Sequence, residues 1–130
     1  MFSLNNKGQT LVMFVLLIPL FLMILALVVD IGNIVVAKQE LNNINYLAVD
    51  YGLEHIMDAD VENKMTEMIK LNVEEIDEID IKINNGIIFV KTKKDVPGIL
   101  SHIFDIKIFE VTSSYQGSFN GLENKIERVK

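Results

Sequence analysis

The sequence predicts an α+β fold: a long N-terminal helix, first membrane-spanning and then amphipathic, a short second helix, and a small three-stranded antiparallel sheet. Three observations carry this reading. Residues 11–29 are an unbroken apolar run, apolar residues beyond it recur at three- and four-residue steps, and from residue 79 the pattern changes to strict alternation broken by turn residues.

The apolar run opens after Lys7-Gly8-Gln9-Thr10 and closes at Asp30-Ile31-Gly32. As a helix it rises roughly 28 Å, close to the hydrocarbon thickness of a bilayer, and no charged side chain interrupts it. It therefore reads as a membrane span embedded in lipid. A cleavable secretory signal would be shorter and would end in small residues, whereas Leu27-Val28-Val29 is bulky. Lys7 before the run and Asp30 after it predict a cytoplasmic N-terminus and an extracytoplasmic remainder. Pro19, in mid-span, removes one backbone hydrogen bond and crowds the carbonyl of Val15, which predicts a kink or local loosening. The expected layout is a cytoplasmic leader over residues 1–8, a transmembrane helix over 9–30, an α+β domain over 31–119 and a tail over 120–130. The part outside the bilayer is long enough for one core and too short for two.

After the run, Ile34, Ala37, Leu41, Ile44, Ala48, Tyr51 and His55 continue one helical stripe, with Lys38, Gln39, Glu40, Asn42, Asn43 and Asn45 on a face suited to solvent. His55 ends the stripe as a boundary residue. Asp58 and Asp60 offer N-caps for a second helix whose apolar positions are Val61, Met65, Met68 and Ile69, ending near Asn72. Residues 74–78 are an acidic connector without the glycine turn and ligand spacing of a calcium loop. Residues 79–83 alternate, Asn84-Asn85-Gly86 supplies a turn, and residues 87–92 are β-branched and aromatic, so a hairpin is expected. Asp95-Val96-Pro97-Gly98 breaks the strand. A short helix over 99–104 and a third strand from Ile106 to about Tyr115 follow. The second and third strands look apolar on both faces, which predicts a sticky outer face and a candidate subunit contact. In the tail, Leu122, Ile126 and Val129 have helical spacing, consistent with a terminal helix or an unstructured end.

Composition narrows the function. The chain has no cysteine, which removes disulfides, thiolate metal sites and a cysteine nucleophile. Lys7 and Asp30 offset each other, so the net charge of −6 belongs to the part beyond Asp30. Its longest basic cluster, Lys91, Lys93 and Lys94, fits the solvated end of a strand, so no nucleic-acid partner is expected. Ser101 and His102 are neighbours in the chain, which by itself supplies no triad geometry. The reading is a non-enzyme with no cofactor and no metal site.

The segment from Lys7-Gly8-Gln9-Thr10 through Leu11, Val12, Phe14 and Pro19 to Asp30-Ile31-Gly32 resembles the N-terminal signature of TadE/TadG-like proteins, the minor pilins or pseudopilins of tight-adherence (Tad/Flp) pili. Gly-Gln before a membrane helix is also similar to archaeal class III signal peptides. The resemblance implies a prepilin peptidase that cuts after Gly8 and leaves Gln9 as the new N-terminus. A glycine without Cβ least opposes the extended form a scissile bond must take. The resemblance also implies other pilin or pseudopilin subunits, Tad assembly proteins and membrane lipid as partners. Met13 departs from the family, whose glutamate at this position pairs with a neighbouring subunit's new amine. A carboxylate in lipid is costly unless paired, so its replacement implies a tip or initiating subunit, not a repeating one. The alternative is a permanently membrane-anchored extracytoplasmic binding or scaffold domain that is never polymerised.

Overall fold

One helix, α1 (Asn6–Glu54), runs unbroken for 49 residues, through Pro19, across the apolar run and along the stripe to just short of His55. It is followed by α2 (Val61–Asn72), β1 (Glu78–Asn84), β2 (Ile87–Val96), α3 (Ile99–Phe104), β3 (Phe109–Phe119) and β4 (Asn124–Arg128). This computed structural model describes residues 6–105 and 109–129; most of the expected leader and the expected start of the third strand at Ile106 lie outside the described residues.

The sheet has four strands in the order β1-β2-β3-β4, all antiparallel, where three were expected. The extra strand comes from the tail. Asn120 Oδ1 accepts the N–H groups of Leu122 and Glu123, both at 3.0 Å, and Gly121 takes a φ of 96°, so the chain reverses and pairs Asn124–Arg128 with β3. In that register Ile126 lies opposite Gly117 and packs against the core, while Leu122 stands exposed at the turn. The helical spacing of Leu122, Ile126 and Val129 was thus a coincidence of three apolar residues, and a period of two governs.

The first hairpin follows its sequence. Asn84 pairs with Ile87, and the two residues between them, Asn85 and Gly86, have φ of 51° and 77°, the left-handed pair that a two-residue turn between right-twisted strands requires. The third strand ends at Phe119, four residues beyond the expected Tyr115.

The core lies between the second half of α1, α2 and the inner face of the sheet. Ala37, Leu41, Ile44 and Ala48 are buried as the stripe predicts, joined by Val49 and Leu53. Against them stand Ile88 and Val90 of β2, Val111 of β3, and Val61, Met65 and Ile69 of α2. α2 approaches so closely that a Cβ at Gly52 would fall 2.6 Å from Met65 Sδ. Asp60 is the residue before α2 but its side chain makes no capping bond, and Asp58 instead lies 3.6 Å from Lys64. His55 sits just past the end of α1, its ring stacked on Tyr51 at 4.1 Å.

Two expectations are corrected here. Asn45 is not on a solvent face: it is fully buried, donating from Nδ2 to the Ser113 carbonyl at 3.0 Å and accepting from the Thr92 hydroxyl at 3.0 Å. Asn42 accepts from the Ser113 hydroxyl at 2.6 Å. A helix packed on a sheet buries more than a narrow stripe, and amides on its margin then find partners on the strands. The outer face of the sheet is not an apolar patch either. It carries Lys93 between Glu78, directly opposite on β1, and Glu110, diagonal to it on β3, with Lys93 3.4 Å from each carboxylate, and its apolar members on β2 are confined to Ile87 and Phe89.

Candidate functional site

The two halves of α1 meet at Asp30, and there the chain builds its most specific polar contact. Residues 11–29 leave their large side chains exposed: Leu16 is 68% accessible, Met13 63% and Phe21 61%. One helical step further, Asp30 is 1% accessible. Its carboxylate is aimed at the N-terminus of α3, where Oδ1 accepts the Ile99 N–H at 2.7 Å and Oδ2 accepts the Leu100 N–H at 3.0 Å. These are two of the donors that a helix start leaves unpaired, and a negative charge there is also favoured by the helix dipole. A third donor, the Gly98 N–H, goes to the Ser101 hydroxyl at 2.9 Å, and that hydroxyl donates back to the Gly98 carbonyl at 2.6 Å.

Gly98 makes the clasp possible. It has no side chain with which to cap its own helix, and a Cβ there would fall 2.7 Å from Asp30 Oδ2 and 2.8 Å from the carboxyl carbon. The carboxylate thus occupies the space a side chain would need. The consequence reaches across the fold, because residues almost seventy positions apart are joined and α3 is pinned alongside the apolar half of α1.

α3 brings its own apolar face to that half. Ile99, Leu100, Ile103 and Phe104 line a groove of about 360 Å³ with Leu22, Met23, Ala26 and Val29. A second groove, of about 420 Å³, is lined by Leu100 and Phe104 with Leu20, Met23, Ile24 and Leu27. Ile103 remains 65% accessible and Phe104 50%.

Of the residues the sequence singled out, the structure places only Asp30 in this constellation. Gly8 and Gln9 lie in the first turns of α1, so the Gly8–Gln9 peptide is helical here. That stretch is near the helix end, where Thr10 Oγ1 donates to the Asn6 carbonyl at 2.9 Å, and opening it to an extended form costs only the first turn. Met13 and Pro19 are exposed on the apolar half. Gly32 is exposed, with nothing within 4 Å of where a Cβ would be, and nothing in the structure explains the glycine. Gly98 and Ser101 were missed as site residues. The available signal was a short apolar helix at 99–104 preceded by a glycine, hence one whose cap has to come from elsewhere in the chain.

Residues 8–44 match the family described as TadE-like protein. The chain carries a TadE-like N-terminal segment. The TadE-like match covers the apolar half of α1, Asp30 and the first buried turns of the stripe, and stops before α2, the sheet and α3. No curated protein and no solved structure matched the chain. α1 is the one helix among the described residues long and apolar enough to cross a membrane, as a single-pass protein requires. Asp30, within the TadE-like segment, connects it to the domain beyond through α3.

Proposed function

We propose that this chain is a non-catalytic structural subunit, a minor pilin or pseudopilin in assembly of a Tad-type pilus or related secretion machine. In this reading a prepilin peptidase cuts after Gly8, Gln9 becomes the N-terminus, and the apolar half of α1 exchanges lipid for the helices of neighbouring subunits. The observation that carries it is the continuity of α1: one helix presents a largely exposed apolar half of TadE-like sequence and buries a stripe of its other half in the domain. Such a helix can move from bilayer to fibre as a unit while the domain keeps its own core. Met13, where the family has glutamate, supports a tip or initiating position, since the subunit has no intramembrane acid to pair with the amine of the next.

The second reading is a domain that stays anchored in the membrane and is never polymerised. The observation that favours it is the clasp of α3 on Asp30, which fastens the domain to the segment read as the membrane span.

Co-expression with a prepilin peptidase followed by intact-mass measurement separates the two. A chain beginning at Gln9, and a full-length chain when Gly8→Leu is introduced, is the expected result for the pilin-like subunit. A chain that stays uncut with Gly8 in place overturns it in favour of the anchored domain.

A further inference from the structure

α3 is short, but its residues are sorted. At 3.6 residues per turn Ile99, Leu100, Ile103 and Phe104 share an arc of about 140°, and Ser101, His102 and Asp105 occupy the opposite side. The apolar arc faces the part of α1 that runs from Leu20 to Val29, inside the segment read as the membrane span. Measured along the axis from Asp30, the lining residues Leu27 to Leu20 lie roughly 5–15 Å into that segment. A soluble domain would gain nothing by leaving Ile103 and Phe104 half-exposed at that level. In a bilayer the same residues meet acyl chains.

The polar groups at the start of α3 fit that surrounding. The N–H groups of Gly98, Ile99 and Leu100 and the Ser101 hydroxyl are all paired within the protein, and Asp30 is covered while it pairs them. Backbone donors near hydrocarbon have to be satisfied internally. The grooves flanking α3 are continuous with the exposed surface of the span, so whatever surrounds the span also fills them.

We propose that α3 is an interfacial membrane anchor: its apolar arc beds among the acyl chains of the leaflet from which the domain emerges, lipid fills the grooves between α3 and α1, and the Asp30 clasp sets the depth. This rests on the reading that residues 11–29 cross a bilayer. Amphipathic helices lie at such a boundary with their apolar face roughly 5–10 Å into the leaflet. The domain is thereby held at two points, the span and α3, and cannot swing freely about the end of the span. Removal from the bilayer has to expose or re-cover Ile99, Ile103 and Phe104 as well as the span.

The full chain, which has no native cysteine, allows a direct test in phosphatidylcholine vesicles. Single variants Leu22→Cys, His102→Cys, Ile103→Cys and Leu122→Cys are spin-labelled, and the accessibility of each label to oxygen and to a neutral nickel chelate is compared. The expected result is an oxygen-to-nickel ratio at 22 and 103 several-fold above that at 122, with 102 close to 122. Adding Asp30→Ala lowers the ratio at 103 toward that at 122 and leaves 22 unchanged. A label at 103 as open to nickel as at 122, while 22 remains in lipid, overturns the anchor and leaves the span intact. A label at 22 that is itself open to nickel overturns both. A label at 103 shielded from both reagents, with dipolar broadening between labels, overturns lipid as the occupant and assigns the grooves to a second copy of the chain.

Discussion

The two halves of α1 belong to one continuous helix, yet they have opposite fates. Residues 11–29 are apolar on every side and expose nearly all of it; residues 30–54 bury one stripe and turn Gln39, Asn43 and Glu54 outward. The difference shows that how apolar residues are distributed around a helix decides what it packs against. A helix apolar all round needs a surrounding medium, whether lipid or other helices, whereas a striped one needs a partner on one side. Asp30 sits at the change-over and serves neither purpose, because its carboxylate is committed to α3.

The sharpest way to test this contrast is to make the same deletion in each half. Leu41→Ala removes a fully buried side chain and is expected to cost about 2–5 kcal/mol of domain stability in urea unfolding in detergent micelles. Leu16→Ala, in the exposed half, should leave that value within about 0.5 kcal/mol of the parent. Equal losses would show that the apolar half packs on the domain beyond its contact with α3 as well.

Breaking the polar contact within the buried half is expected to cost less. Asn45→Ala strands the Thr92 hydroxyl and the Ser113 carbonyl in the core, for a loss of about 1–3 kcal/mol in the same measurement. Loss of the cap at the boundary should be smaller again and local. Asp30→Ala should destabilise α3 by about 0.5–2 kcal/mol, read as faster amide exchange at Ile99 and Leu100 with Ile88 and Val90 unchanged. Gly98→Ala should produce the same pattern by driving a Cβ into the carboxylate.

The smallest effect belongs to the outer face of the sheet. Hydrogen bonding and attraction to Glu110, with a further contribution from Glu78, hold the Lys93 ammonium above its ordinary range near 10.5. Its contribution is therefore present below that range and fades as pH rises through the higher folded value. Lys93→Gln should flatten this alkaline decline of the unfolding midpoint without altering stability measurably at high salt.

Much of the secondary structure was legible because it depends on near neighbours. The apolar run, the stripe from Ala37 to Ala48 and the Asn85-Gly86 turn each declare themselves within a few residues, and the structure places them as read. β4 was not legible, since Lys125, Ile126 and Glu127 offer a single apolar position to a two-residue pattern and the strand exists because β3 provides an edge to pair with. The polar outer face was misjudged for a related reason: the residues that neutralise it, Glu78, Lys93 and Glu110, come from three strands and meet only in register. The site was half legible. Asp30 stood out as the first charge after the span, but its partners lie some seventy residues away.

By itself the sequence determined that one helix of this chain is long and apolar enough to cross a bilayer, that a TadE-like segment forms it, and that the helix continues as a striped rod into an α+β domain. These are properties of local composition and period, which hold whatever the rest of the chain does. Only the tertiary structure decided that Asp30 is buried against Gly98, that Asn45 bridges Thr92 and Ser113, and that α3 lies beside the apolar half of α1. Each of those contacts requires the sheet to bring distant residues within hydrogen-bond or van der Waals reach, and such distances follow from strand register and helix packing, not from any short stretch of sequence.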